Sequence, residues 1–233
     1  MLFYRYQPIN KLSLLNLSKK MNWVANPFEF NDPFEFHLKD IYFNDNEGNF
    51  KQLNTEQIKV REHILNQINY YGVVCYSTNE HNTLMWSHYA DNHRGMCLVF
   101  DVPNPIENYL LKVNYIEELP YINYDMDSLL PEIRKIITSK SKDWEYEQEY
   151  REVKTGKDVY SPYCGKLVEI IFGCKCTKED IEFVINVSNA NYEDIIISKK
   201  NIDENSFKLS KTMIVKEGNK YNVPEIWNGK TYL

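Results

Sequence analysis

The chain has 233 residues, and its 33 Asp and Glu outnumber its 27 Lys and Arg for a formal net charge of −6. That balance argues against broad electrostatic binding along a nucleic-acid backbone, although it leaves room for a nucleic acid as an acceptor in a local cleft. With 43% hydrophobic residues there is material for a sizeable core, and no apolar run approaches the ~20 residues of a membrane-spanning helix. The opening Met-Leu-Phe-Tyr-Arg-Tyr lacks a signal-peptide layout, so a cytoplasmic protein is expected. The five cysteines show no disulfide-like spacing, and Cys174-x-Cys176 alone falls short of a zinc set.

Taken in chain order, Leu2–Tyr6 predicts a first strand with Arg5 between two tyrosines. Ile9–Lys20 predicts a helix with lysines at its C-terminal end. Asn22–Ala25 predicts a second strand. Pro27 and Pro33 then force extended backbone before them, so 26–35 is expected to be a rigid loop that packs through its aromatics. Residues 39–53 suggest a polar connection turning at 45–49. A helix capped by Thr55 should run to Asn69. Val73–Tyr76 and Met96–Val102 read as buried strands flanking a short helix that Asn82 or Thr83 caps and Gly95 ends. Further on, a strand at Val113–Ile116, a helix at Leu129–Ser139, a strand at Leu167–Phe172, a helix capped by Thr177, and strands at Ile195–Ser198 and Phe207–Val215 follow. The fold class is α+β: one domain over residues 1–216, a mixed or antiparallel split sheet with flanking helices, and an irregular tail over 217–233.

Three constellations could carry chemistry. On the central helix, Trp86, Tyr89 and His93 fall at i, i+3 and i+7, with His88 on a neighbouring face. The preceding strand ends on Ser77 and Thr78, a usual place to mount binding groups. No third ligand accompanies His88 and His93, so no metal is expected. The second constellation is Trp144–Val153. Extended, it would align Glu145, Glu147, Glu149 and Arg151 on one face; helical, it would pair Glu147 with Arg151. The third is Arg5, an ion-pair partner or an anion clamp. The loop Asn31–Glu35 suits side-chain turns to the backbone, with ligand contact as the alternative. Phosphate-binding P-loop, dinucleotide-binding GxGxxG and GxSxG nucleophile signatures are absent from the sequence.

Tyr4-Arg5-Tyr6, Asn31–Glu35, Met85–Gly95 and Trp144–Arg151 together resemble a large bacterial family designated a domain of unknown function. A more distant resemblance is to ADP-ribosyltransferases, through Arg5, then Ser77-Thr78 with Tyr89, then Glu147-x-Glu149. It implies an ADP-ribosyltransferase-like fold with NAD as the substrate. Glu149 would stabilise the positive ribose and Glu147 would position or deprotonate the acceptor. Arg5 would hold the pyrophosphate, Ser77 the ribose, and Tyr89 would stack on nicotinamide. The first expectation is thus an NAD-consuming transferase or glycohydrolase, acting as a toxin or phage-defence effector. The alternative is a non-enzymatic ligand- or partner-binding module in which Trp86, His88, Tyr89 and Arg151 form a structural polar core. A nuclease-type effector using the histidines and glutamates comes third.

Overall fold

The computed structural model describes residues 1–44, 50–51, 54–105, 107, 110–124, 129–217 and 220–222. In chain order the strands and helices run β1 (Leu2–Gln7), α1 (Lys11–Lys19), β2 (Met21–Val24), β3 (Ile41–Asn44), β4 (Phe50–Lys51), α2 (Asn54–Ile68) and β5 (Tyr71–Ser77). Next come α3 (Thr83–Tyr89), β6 (Met96–Asp101), β7 (Leu110–Lys112), β8 (Asn114–Ile116), β9 (Ile122–Tyr124), α4 (Leu129–Ile137), β10 (Ser139–Ser141) and β11 (Glu149–Thr155). The remainder comprises β12 (Val159–Pro162), β13 (Lys166–Phe172), α5 (Lys178–Asn189), β14 (Ile196–Ile202), β15 (Leu209–Met213), β16 (Val215–Glu217) and β17 (Lys220–Asn222). The fold is α+β with a large mixed sheet, and the elements sort into two compact units. Among the described residues no helix is long and apolar enough to cross a membrane.

The first unit comprises Met1–Trp23, Tyr76–Asn108 and Tyr160–Leu233. Its sheet is ordered β15-β14-β13-β6-β1, with the end of β5 beside β1. Only a crossover can join the parallel neighbours β13 and β14, and α5 supplies it. β6 pairs with β1 on one side and β13 on the other, which explains why Met96–Phe100 are apolar and buried without alternation. Helix starts follow the expected chemistry: Asn10 and Ser13 form a reciprocal capping box, Asn82 accepts from the Leu84 amide, and Thr177 accepts from the Asp180 amide. Where the sequence reads as an irregular tail, Lys220–Asn222 instead pairs antiparallel with β16; the expected turn at 45–49 and the residues after Asn222 lie outside the described residues.

The helical face drawn through Trp86, Tyr89 and His93 does not form. α3 stops at Tyr89, and Asp91, Asn92 and His93 all adopt left-handed backbone, with φ of 46, 51 and 70°. Such residues cost about 1–2 kcal/mol each relative to right-handed backbone, and here amide bonds hold them. Gly95 donates to the Ala90 carbonyl at 2.8 Å and His93 to the Trp86 carbonyl at 3.1 Å. Gly173 lies so near this turn that a Cβ there would stand 2.1 Å from the His93 carbonyl oxygen. Glycine is therefore required at 173 by backbone approach.

The second unit comprises Val24–Cys75 and Tyr109–Val159. Its strands are β4-β3-β9, the parallel pair β10-β8, and β5 (as far as Cys75), β11 and β7. Ile64 and Ile68 of α2 and Ile133, Ile136 and Ile137 of α4 pack with Phe36, Leu38, Ile41 and Val73 into one core. These isoleucines therefore face inward, as amphipathic helices require, whereas Ile58, expected on the same apolar side of α2, is exposed.

Candidate functional site

The Trp144–Val153 segment is neither one strand nor one helix. Ser141 opens a 3-10 turn over Lys142–Glu147, Gln148 reverses the chain at a left-handed φ of 47°, and β11 begins at Glu149. Because the register restarts at the reversal, Glu145 stays exposed while Glu147, Glu149 and Arg151 all turn inward. Glu149 and Arg151, two apart on β11, share a face. The helical Glu147–Arg151 pairing does not occur.

Arg151 is fully buried and uses all of its guanidinium edges. Its Nε donates to Glu149 Oε1 at 2.8 Å and its Nη2 to Glu149 Oε2 at 3.0 Å. Nη2 also donates to both Glu35 carboxylate oxygens, at 2.8 and 2.9 Å, and Nη1 to the Ile137 carbonyl at 2.6 Å. The Phe30 and Phe36 rings lie 5.7 and 5.3 Å from the guanidinium carbon, within cation–π range. The aromatic loop at 26–36 therefore walls a buried cation. Its Asp32 carboxylate accepts the Phe34 amide at 2.9 Å, the structural turn that Asx chemistry favours.

Lys140 completes the cluster from β10. Its Nζ donates to Glu147 and, at 3.1 Å, to Glu149 Oε2, and lies 3.3 Å from Glu35 Oε1. Three carboxylates (Glu35, Glu147, Glu149) thus surround two cations, leaving one formal negative charge in excess. The Glu149 backbone is fixed too: its amide donates to the Tyr115 hydroxyl at 2.8 Å and its carbonyl accepts from the Val113 amide at 3.0 Å.

The electrostatics follow from burial opposed by pairing. Burial alone would raise the Glu149 pKa, but Arg151 and Lys140 overcome it and hold the carboxyl down at about 2. Burial would likewise lower the Lys140 pKa, and Glu149, Glu147 and Glu35 overcome it, so the ammonium is held. Burial, with Glu149 beside it, pushes the Cys75 thiol well up, and that thiol hydrogen-bonds the Glu149 carboxylate. Cys75 is thus a neutral donor in the cluster.

Two members of the cluster, Glu35 and Lys140, also line a cavity of about 260 Å³. Asp32 and His37 line it beside them, with Phe34, Ile116, Leu119 and Pro120 as apolar walls and Glu117 and Glu118 among its other lining residues. Glu117 pairs with Lys142 at 2.9 Å and Glu118 with Lys39 at 2.6 Å, both in the open. Ligand pockets for drug-sized molecules occupy ~300–1,000 Å³, so this cavity suits a smaller molecule and is too small to enclose a dinucleotide.

The other sequence candidates lie in the first unit. Tyr4 of β1 stands directly opposite Ser77 of β5, so those two side chains share a sheet face and Arg5 projects from the other. On that other face Arg5 donates to the Asn22 amide oxygen and to the Trp23 carbonyl at 3.4 Å, and Asn22 in turn donates to the Tyr76 hydroxyl at 2.7 Å. Ser77 is buried, and its Oγ accepts the Asn79 amide at 2.9 Å in a turn that Thr78 occupies. Trp86 is fully buried, edge-on to Tyr6 with centroids 5.1 Å apart. Exposed His88 and half-buried Tyr89 meet at 6.2 Å, and His93 bonds Ser87 Oγ at 3.0 Å. Glu147, Glu149 and Arg151 therefore come together, whereas Arg5 and Ser77 part to opposite faces.

Sequence reasoning missed Lys140 and placed Asp32 and Glu35 in a loop whose ligand contact was only the alternative to a structural turn, and it missed a second charged cluster on the Tyr4 side of the first unit's sheet. There Glu80 accepts from the fully buried Lys200 at 2.7 Å and pairs with Lys211 at 2.9 Å, while Lys211 reaches Glu169 at 3.2 Å and Ser198 donates to Glu169 at 2.6 Å. Burial opposes ionisation of Glu80, but the two lysines win and keep its pKa low. Lys199, the next residue along β14, is buried near Cys174 and Cys176; burial lowers its pKa and raises that of Cys176 to about 12. Among the described residues no group of three or more His, Cys, Asp or Glu is placed to hold a metal ion.

Residues 85–152 match the model of a family described as "Protein of unknown function (DUF2971)". That segment is similar to the family, and the Met85–Gly95 and Trp144–Arg151 blocks both fall inside it. No curated protein and no solved structure matches the chain.

Proposed function

We propose that the second unit is a small-molecule-binding module in which the Arg151-centred cluster is a structural polar core. One observation carries this reading: Glu35 and Lys140 belong to the cluster and to the cavity wall at once. A saturated set of charge-assisted bonds holds both side chains in place, which is how a preorganised binding wall is built. Glu147 and Glu149 are committed to Lys140 and Arg151, so their work is to fix those cations. The test is a titration of the isotope-labelled protein with putrescine, adipate and glucose, followed by amide resonances. Saturable shifts centred on residues 32–37 and 116–120 are expected with at least one probe. Spectra unmoved by all three would contradict the reading.

A second reading, an NAD-consuming transferase or glycohydrolase acting as a toxin or phage-defence effector, draws on one observation. In the first unit, the strand ending on Ser77 lies beside the strand of Arg5, and α3 with Tyr89 follows, in the order the resemblance asks for. Two features weigh against it: Arg5 and Ser77 project to opposite faces, and Glu149 is engaged by Arg151, Lys140 and Cys75. Nicotinamide release from NAD decides between the readings. The binding-module reading expects none; release lost in a stably folded Glu149→Gln variant would put the transferase first.

A further inference from the structure

We infer that the cavity beside Lys140 takes a small organic cation, an ammonium group carried on a short apolar body. The inference rests on the reading of this cavity as a ligand site and names the class of ligand. Its first support is charge. The cluster behind the wall carries three carboxylates against two cations, and Asp32, itself buried, adds a carboxylate at the cavity surface. Negative charge held away from water is costly unless a counter-charge approaches it, and the cavity is the space through which one can. A ligand carboxylate placed there would meet Asp32 and Glu35, and the one buried cation of the wall, Lys140, is already engaged by Glu35, Glu147 and Glu149.

The second support is shape. Phe34 lines the cavity yet is 63% exposed, so much of its ring remains open to contact. With Ile116, Leu119 and Pro120 it makes an apolar wall suited to methylenes, and an aromatic face also attracts cations. The third is the rim. Glu117 and Glu118 pair with the exposed Lys142 and Lys39, contacts worth little in water, so a second ammonium can take the place of those lysines. A diamine therefore has a charged group for the floor and another for the rim.

Putrescine is the probe, with adipate as the chain-matched dianion. Isothermal titration of the full chain should show saturable putrescine binding and no adipate binding. Asp32→Asn keeps the oxygen that accepts the Phe34 amide, so the turn is preserved, and it should weaken putrescine about tenfold or more. Phe34→Ala removes an exposed ring and should weaken it about threefold. Adipate binding as tight as putrescine, or putrescine binding untouched by Asp32→Asn, would overturn the cation assignment while leaving the cavity a ligand site. If the cavity resonances respond to none of putrescine, adipate and glucose, the binding-module reading fails with it.

Discussion

Replacing Arg151 with alanine is expected to lower the stability of the protein by about 3–5 kcal/mol, the usual cost of stranding a buried charge partner. The guanidinium is fully buried and bridges Glu35 and Glu149, both of which would lose their principal donor. The Ile137 carbonyl and the facing Phe30 and Phe36 rings would lose their partner as well. Set against the about 5–15 kcal/mol that holds an ordinary domain, this is a large fraction, and urea or guanidinium unfolding should show it as a much lower midpoint. Arg151→Lys should recover only part of the loss. An ammonium keeps the charge but cannot donate to two carboxylates and a carbonyl along fixed directions.

Acidification should expose the same cluster through Glu149. Its carboxyl titrates near 4.5 when free and is held at about 2 in the fold, because Arg151 and Lys140 overcome the effect of burial. A depressed folded pKa means that the unfolded chain binds the proton more readily. The stabilisation is therefore complete above about pH 4.5 and drains away as pH falls through about 2, amounting to about 3 kcal/mol. Unfolding free energies measured by urea between pH 6 and pH 2 should fall along that limb. Other depressed carboxyls, Glu80 among them, add to it with the same sign. The part due to Glu149 is isolated by Glu149→Gln, which should start lower at pH 6 and lose less on acidification.

Much of the secondary structure was legible because it rests on local chemistry. Asn82 and Thr177 start helices, and Ile133, Ile136 and Ile137 mark an inward helical face at the right period. The Asp32 turn and the burial of Trp86 follow from residue type and setting alone. What local chemistry does not carry is register. One left-handed residue, Gln148, splits a segment that pattern reasoning must treat as wholly extended or wholly helical. Three consecutive left-handed residues after α3 likewise take His93 off the helical face assigned to it.

The site itself was half legible. Glu147, Glu149 and Arg151 stand out as a dense charged run, but their partners do not. Glu35 lies 116 positions from Arg151 in the chain, and Lys140 reads as one more surface lysine until β10 turns it inward. Lys199 and Lys200 are similar: a doublet suggesting a solvated surface is a buried pair on β14. The signal available in the sequence was the aromatic density of Phe28-Glu29-Phe30 and Phe34-Glu35-Phe36. Of its two glutamates between rings, Glu29 stays exposed while Glu35 is buried and needs a cation, and Arg151 is the one it finds.

On the reading proposed for the cavity, Glu35 and Arg151 work as one buried unit that holds its wall in place. A double-mutant cycle with Glu35→Gln and Arg151→Ala tests it most directly, by unfolding free energy at neutral pH. Coupled groups in one hydrogen-bonded network are expected to show an interaction energy of about 2–3 kcal/mol, the double variant losing far less than its single variants together. Single losses that simply add to within about 0.5 kcal/mol would contradict the claim and detach Arg151 from the cavity wall.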